Sequence, residues 1–215
     1  MSNESAPFVK NLIFQSKDLG KQSDLMLVFD GKVDGMGDHF PVVWRVSTFG
    51  DEGPYQMKAT YRSQLAFTKP QVEHGSVIGA ATAVEINAGQ QTILTKTGNV
   101  FKFSAPVKGT SSYLKATNLA GAKQNLAIGF MGHGALLPTP MLYFKNVGDD
   151  DFVTAHFKPM LRAYVTSDYQ ETEIWKNSPT NSTFLWEEDL TDLDETTTWN
   201  LTWDGHTGRY TIAQA

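Results

Sequence analysis

The side chains of Trp, Tyr and Met are the ones in this sequence that most clearly suggest a chemical role, which is ligand binding. Trp and Tyr present rigid, flat faces, and the polarizable sulfur of Met adapts to an irregular outline, so a cavity that they line suits a flat aromatic ligand. We expect one such cavity between two sheets, with His156 and Arg162 as its few polar contacts. The residues predicted to line it are Trp44, Met57, Tyr61, Met141, Tyr143 and Met160. The alternative for each residue taken singly is ordinary core packing.

Histidines and acidic residues can hold metal ions, but their spacing here encodes no local site. No two of the five histidines follow the H-x-H or H-x-x-x-H spacing of a short-range zinc or copper site. Asp38 and His39, near Met36, could join a metal site assembled in space, whereas a polar, glycine-rich loop is the plainer interpretation. The acidic runs 149–151 and 187–195 lack the EF-hand pattern and suit solvated loops. Whether a metal is bound stays open.

The sequence contains none of the common catalytic patterns, and the nearest candidate is a short glycine loop. Neither glycine-rich phosphate-binding pattern occurs, nor does the G-x-S-x-G nucleophile elbow. The chain has no cysteine, which excludes a thiolate nucleophile and any disulfide. Met131-Gly132-His133-Gly134 could present an imidazole or backbone N–H groups to a substrate, but a turn is the plainer interpretation. We therefore predict that the protein is not an enzyme.

An acidic balance and scattered cations narrow the range of partners. The net charge is −5 and Lys and Arg form no large cluster, which argues against nucleic acid and against an anionic membrane surface. The uncharged stretch 124–141 is interrupted by glycines and prolines and cannot form a spanning helix. Residues 1–7 contain no apolar leader, so we predict a cytoplasmic protein whose partner is a small molecule. The sequence leaves the oligomeric state open.

Apolar residues alternate with polar ones along much of the chain, which is the period of half-buried strands. Trp199, Leu201 and Trp203 share one face of a predicted strand, and Phe101 and Phe103 share the face of another. Turn pairs such as Gly-Asn and Asp-Gly separate these runs at short intervals. The pattern predicts an all-β fold, an antiparallel β-sandwich with very little helix, and a barrel is the alternative.

The chain shows neither a linker nor a fixed repeat, so we predict one β-sandwich domain over residues 1–215. Residues 178–196 are acidic and are predicted to form a long connection or lid. The best helix candidate is 111–122, although Thr117 and Asn118 interrupt it. Residues 199–213 are predicted to form a C-terminal hairpin that is integral to the fold.

One short stretch resembles a protein family. Val43-Trp44-Arg45-Val46, followed by Gly53-Pro54-Tyr55-Gln56 and Tyr61, is similar to a pattern in cytosolic β-rich proteins of mushroom-forming fungi. The resemblance implies a pigment protein of the fruiting body, a chromoprotein whose indolone-type chromophore is held without a covalent bond. It supplies no ligand-binding residues, so the predicted site rests on side-chain chemistry alone.

Three functions follow from these observations, in order of preference. The first is non-enzymatic binding of a flat aromatic small molecule, in its sharpest form a fungal chromoprotein with a non-covalent aromatic chromophore. The alternative is a cytosolic carbohydrate-binding, lectin-like defence protein, for which Trp203, Asp204 and His206 place an aromatic ring beside polar groups. The second alternative is a hydrolase whose site the sequence does not reveal.

Overall fold

The computed structural model of this protein describes residues 7–29, 39–176 and 184–215. Regular structure in these ranges consists of strands and one short 3-10 helix, Leu190–Asp192. In chain order the strands are β1 (Val9–Lys17), β2 (Ser23–Phe29), β3 (His39–Pro41), β4 (Val43–Phe49), β5 (Pro54–Arg62), β6 (Leu65–Glu73), β7 (Ser76–Ile86), β8 (Gln90–Thr97), β9 (Val100–Phe103), β10 (Val107–Lys108), β11 (Leu114–Leu119), β12 (Gln124–Phe130), β13 (Thr139–Val147), β14 (Phe152–Ala155), β15 (Met160–Val165), β16 (Trp186–Asp189), β17 (Thr196–Asp204) and β18 (Arg209–Gln214). The prediction of an all-β fold with very little helix is confirmed. Within the same ranges, no helix has the length and apolar character needed to cross a membrane.

The strands assemble into four sheets. Sheet I has the order β18-β17-β1-β5, and sheet II has the order β16-β15-β2-β4. Sheet III has the order β3-β13-β12-β6-β7, and sheet IV has the order β10-β8-β11-β14, with β9 also paired to β8. Most pairs are antiparallel, but β1 with β17 and β8 with β11 are parallel. None of the sheets formed by the described strands closes into a barrel, which supports the sandwich over the barrel alternative.

The predicted alternation sets the faces of the strands. In β17, Thr197, Trp199 and Leu201 are buried, and the residues between them are less buried. This strand pairs with β1 in parallel and with β18 in antiparallel. The predicted C-terminal hairpin is therefore present, and its first strand lies inside sheet I rather than at an edge.

One hydrophobic core joins the four sheets. Leu12 of sheet I, Phe29 of sheet II, Ile128 of sheet III and Leu94 of sheet IV are all fully buried members of it. Burial of apolar side chains is the main favourable term in folding, so the sheets stabilise one another through this shared cluster. The single domain over residues 1–215 stays a prediction, which this shared core supports.

Sheets I and II meet through three aromatic residues, Phe14, Trp186 and Trp199, which we call the closed aromatic group. Phe14 and Trp199 belong to sheet I, and Trp186 belongs to sheet II. Their ring centroids lie 4.9 to 5.3 Å from one another. Such spacing gives edge-to-face and stacked contacts that add to simple area burial.

The helix prediction for residues 111–122 is wrong, because this region contains strand β11. Leu114, Ala116 and Asn118 are buried in alternation, which is the strand period. The Asn118 amide donates hydrogen bonds to the carbonyl oxygens of Val147 and Gly148, at 3.0 and 2.9 Å. A polar residue can be buried in this strand because its amide has backbone partners there.

Residues 178–196, predicted to form a long acidic connection or lid, are described in part. Residues 177–183 lie outside the described part of the chain. Beyond them, Trp186 and Leu190 are buried, and β16 pairs with β15 at the edge of sheet II. The described part of this segment therefore includes a packed edge strand and a 3-10 turn, and its Trp186 and Leu190 side chains belong to the core.

Candidate functional site

Sheets I, II and III meet at a second set of aromatic residues, which we call the pocket-side aromatic group. It consists of Phe29 and Trp44 from sheet II, Tyr61 from sheet I and Phe130 from sheet III. The ring centroids of Phe29 and Trp44 lie 4.9 Å apart, and those of Tyr61 and Phe130 lie 5.1 Å apart. The Trp44 ring also meets the Phe130 ring edge-on at 5.7 Å. Of these four residues, Trp44 lines the pocket that is described next.

A pocket of about 270 Å³ lies beside Trp44, near the lower end of the roughly 300–1,000 Å³ of small-molecule sites. Strands β4, β6, β7 and β13 contribute to its wall, together with the loop before β13 and residues 171–172. The lining residues are Trp44, Arg45, Thr68, Val77, Ile78, Gly79, Ala80, Leu137, Pro138, Thr139, Pro140, Glu171 and Thr172. The wall is mostly apolar, with a charged pair and three threonines among its polar members.

Irregular strand pairing shapes this wall. The register of β6 against β7 shifts between Lys69 and Pro70, where proline has no N–H to donate. The register of β12 against β13 shifts at Gly129, whose backbone lies so close to Thr139 that an added Cβ would sit 2.1 Å from the Thr139 carbonyl oxygen. Both irregularities occur beside lining residues, so the bulges and the glycine help to set the outline of the pocket.

A bridging segment, residues 171–172, forms one side of the pocket between sheets II and III. The Thr172 N–H donates to the Val43 carbonyl oxygen of β4 at 2.8 Å. The Val77 N–H of β7 donates to the Thr172 carbonyl oxygen at 2.9 Å. Because the segment bonds to both strands, it holds Glu171 and Thr172 in the wall.

Two residues of the pocket wall each have a buried side-chain donor without a hydrogen-bond partner. The donors are Nε1 of Trp44 and Nε of Arg45, each almost fully shielded from water. Nη1 of Arg45 bonds to Glu171 Oε2 at 3.0 Å, and the other oxygen of Glu171 accepts from the Val46 N–H at 3.3 Å. An unmade hydrogen bond at a buried donor costs about 1–3 kcal/mol, so an acceptor placed in this wall would be stabilised.

The predicted site residues are divided between the pocket and the core. Trp44 lines the pocket, whereas Met57, Tyr61 and Met141 are buried in the main core. Tyr143 packs in a separate cluster with neighbours that include Val42 and Ile174. Burial raises the pKa of Tyr61, and the charge of Asp189 raises it further; burial also raises the pKa of Tyr143. Of the six residues predicted to line one cavity, the structure places Trp44 on the wall of this pocket.

The predicted polar contacts lie away from this pocket. His156 is exposed, and its ring meets the Tyr113 ring edge-on at 5.6 Å. Arg162 forms an ion pair with Glu187. Met160, the remaining predicted lining residue, is half-buried and lies on the same strand as Arg162. The physical reason is the strand order: β15 is separated from β4 by β2, and the pocket lies on the β4 side of sheet II.

Sequence reasoning missed most of the pocket wall. Arg45 gave a usable signal, because it is a charged residue inside the apolar run 42–46 and next to Trp44. Leu136 and Leu137 gave another, since two leucines between a glycine loop and a proline have no strand to join. Their side chains are 93% and 47% exposed, and Leu137 lines the pocket. Glu171 carried no signal, since its role depends on a contact with β4.

The residues considered for carbohydrate binding have local structural contacts. The ring of Trp203 lies 4.4 Å from that of Tyr210, and Lys21 Nζ lies 4.9 Å from the Trp203 ring centroid. Asp204 accepts hydrogen bonds from the backbone N–H groups of His206 and Thr207, at 2.8 and 3.3 Å. The aspartate therefore organises the hairpin turn, and one ring neighbour already occupies part of the Trp203 surface.

Of the two residues in the metal hypothesis, Asp38 and His39, the structure describes His39. Asp38 and Met36 lie outside the described residues, and the His39 ring sits 6.3 Å from the Phe144 ring. In residues 7–29, 39–176 and 184–215, no three His, Asp or Glu side chains are grouped so that they could hold a metal ion.

Comparison with known proteins adds no relative. No protein-family model, no curated protein and no solved structure matches this chain. The functional argument therefore depends on the chemistry of the pocket wall.

Proposed function

We propose that this protein binds a flat aromatic small molecule, without a covalent bond and without catalysing a reaction, in the pocket beside Trp44. The observation that carries the proposal is that Trp44, a residue of the pocket wall, has a buried Nε1–H without a hydrogen-bond partner. Buried donors in folded proteins are almost always paired, and an exception asks for an explanation. A carbonyl oxygen or ring nitrogen on a bound ligand would accept this hydrogen bond.

The rest of the wall suits the same ligand. Val77, Ile78 and Leu137 offer apolar contact to a hydrocarbon ring. Arg45, which also lines the pocket, has an unpartnered Nε as a second donor. Small-molecule sites commonly combine mainly apolar walls with a few placed polar groups. A conjugated ring system with one or two carbonyl oxygens matches this combination.

The sharpest form of the proposal is a chromoprotein. A conjugated indolone pigment is flat and carries a carbonyl acceptor, so it has both features that the wall calls for. The absorption spectrum of the purified protein tests this form, with mass spectrometry of the extracted ligand. A visible band that leaves the protein on denaturation is the expected result, and a ligand that stays covalently attached would contradict it.

Two tryptophan variants test the site itself, with oxindole, a flat indolone, as the probe. Trp44→Phe removes the N–H and keeps an aromatic ring. Trp175→Phe is the matched control, because Nε1 of Trp175 is also buried and unpartnered. Trp175 packs with Met26, Val28 and Val43 in a separate cluster and does not line the pocket.

Calorimetric titration of oxindole should give saturable binding to the unaltered protein and to Trp175→Phe. We expect about fivefold weaker binding to Trp44→Phe, the loss of one hydrogen bond worth about 1 kcal/mol. Equal affinities for the two variants would contradict the role of Trp44. Absence of saturable binding to the unaltered protein would contradict the choice of an indolone-type ligand.

A further inference from the structure

A second cluster of chemically active groups lies between sheets III and IV, apart from the pocket. Phe101 of β9 is partly buried against the main core. Nζ of Lys69, from β6, lies 5.1 Å from the centroid of the Phe101 ring. Nζ of Lys96, which is paired with Phe101 across the β8–β9 ladder, lies 5.2 Å from the same centroid. The two ammonium groups thus lie within 5.2 Å of the centre of one phenyl ring, and the charge of Lys96 acts on Lys69.

No anion of the described chain balances these two charges. The described carboxylates that form ion pairs serve other cations, as Glu171 serves Arg45 and Asp189 serves Lys158. Within the described residues, neither Lys69 nor Lys96 takes part in an ion pair. Burial lowers the pKa of Lys69, and the charge of Lys96 lowers it further. Each of two neighbouring cations destabilises the charged form of the other, and burial of one of them adds to this effect. An anion bound between them would offset it.

We propose that Lys69 and Lys96 form a binding site for a phosphate group carried by a small molecule. A phosphate brings about two negative charges at neutral pH and several acceptor oxygens, so one group can neutralise both lysines. Lysine binds phosphate as a point charge with rotatable donors. The face of Phe101 attracts both ammonium groups and so favours their position before the anion arrives.

The site is independent of the proposed pocket. Thr68 lines the pocket, and Lys69 follows it on β6, so their side chains leave opposite faces of sheet III. A failure of the indolone experiment would therefore leave this proposal standing, and the reverse also holds.

Pyrophosphate and inorganic phosphate are the probes, titrated against the full-length protein at constant ionic strength set with chloride. Lys69→Gln and Lys96→Gln should each weaken binding about tenfold, the loss expected for one charge-assisted hydrogen bond. Lys115→Gln is the control, because Nζ of Lys115 lies 4.1 Å from the centroid of the Phe152 ring but shares that ring with no second cation. It should leave phosphate affinity unchanged.

A second measurement separates a binding site from general charge attraction. The pKa of Lys69, followed by NMR of labelled lysine side chains, should rise when phosphate is added. It should also rise in Lys96→Gln without phosphate, since a repelling charge has been removed. Binding that Lys115→Gln weakens as much as Lys69→Gln does, or a chloride effect equal to that of phosphate, would overturn the proposal. So would absence of saturable binding.

Discussion

The closed and pocket-side aromatic groups are built from the same residue types and differ in what surrounds them. In the closed group, Trp186 and Trp199 fill the space between two sheets, with centroids 4.9 Å apart. In the pocket-side group, Trp44 packs on Phe29 on one side and borders a pocket on another. Trp44 has a buried, unpartnered N–H, and neither Trp186 nor Trp199 does.

The difference follows from what lies beside each group. The closed group lies between sheets I and II, and two facing sheets bring their side chains together in layers that interdigitate. The space beside Trp44 is lined by strands of sheets II and III, and register shifts in the β6–β7 and β12–β13 pairs interrupt regular packing there. The lesson is that a tryptophan becomes a ligand contact through its place among the sheets and not through its residue type.

The largest expected effect comes from removing one side of the closed group. Truncation after Asp194 deletes β17 and β18, and with them Trp199 and Leu201. The edge of β1 then loses its parallel partner and Phe14 loses a stacked ring. We expect insoluble or unfolded protein, checked by soluble yield and far-UV circular dichroism. A soluble product with an unchanged melting temperature would show that the closed group is dispensable.

A pair of single substitutions should rank the two groups directly. Trp199→Ala should lower the free energy of unfolding by about 3–5 kcal/mol, the usual range for a large core aromatic residue. Trp44→Ala should cost at least about 1 kcal/mol less, because it also removes a buried donor whose unmade bond is unfavourable. Urea denaturation of both variants measures the difference. Equal losses would mean that the pocket leaves the packing of Trp44 unaffected.

A smaller effect should appear on the pocket side when Gly129 is replaced. In Gly129→Ala, the new Cβ would lie 2.1 Å from a backbone oxygen of Thr139, so β13 must shift where Thr139 and Pro140 line the pocket. We expect a loss of about 1–3 kcal/mol in unfolding free energy and weaker oxindole binding.

Gly132→Ala is the control for that change. Its Cβ would meet Ala135 Cβ at an ordinary 3.5 Å, so stability should stay within about 0.5 kcal/mol of the unaltered protein. If Gly129→Ala is as stable as this control, the close approach of β12 and β13 does not shape the pocket.

The smallest effect depends on pH and concerns Asp189. This residue lies on the same strand as Trp186, and its charge raises the pKa of Tyr61. Burial raises the pKa of Asp189, but hydrogen bonds from Lys158 and Thr191 outweigh it and hold the pKa below its usual value. The ionised carboxylate therefore contributes stability above about pH 4, and this contribution is lost as the pH falls through the lowered pKa.

Asp189→Asn should thus be less stable at pH 7 by about 1 kcal/mol, the net worth of one such hydrogen bond, with the gap closing below about pH 4. Denaturant unfolding at several pH values measures the gap. Asp204→Asn serves for comparison, since the Asp204 carboxyl has a lowered pKa on the exposed hairpin, far from either aromatic group. A gap for Asp189→Asn that does not depend on pH would show that its charge is irrelevant to stability.

Much of the fold was predictable because strand period is a local property. The alternation of Trp199 and Leu201 was enough to place β17, and both residues are buried. Strand β6 is harder to recognise, because Pro70 interrupts its pattern and is accommodated at a register shift. Residues 111–122 were the best helix candidate although Asn118 interrupts them, and the structure shows that Asn118 belongs to strand β11, where its amide has backbone partners.

The site was much less predictable, because it is made by contacts between distant segments. Trp44, which was predicted to line a ligand cavity, lies on the pocket wall, whereas Met141, chosen on the same grounds, is fully buried in the core. Nothing local distinguishes these two cases. The contact of Arg45 with Glu171 joins residues 126 positions apart, and no spacing rule reaches that far.

The parallel pairing of β1 with β17 has a consequence for the synthesis of the protein on the ribosome. Gln15 of β1 donates a side-chain hydrogen bond to Asn200 of β17, 185 residues later. Translation at about 5–20 residues per second needs about 10–40 s to cover that interval. During this time β5 can pair with one edge of β1, but the other edge has no partner because β17 has not yet been synthesised. Molecular chaperones that shield such an edge would act on this chain chiefly in that interval.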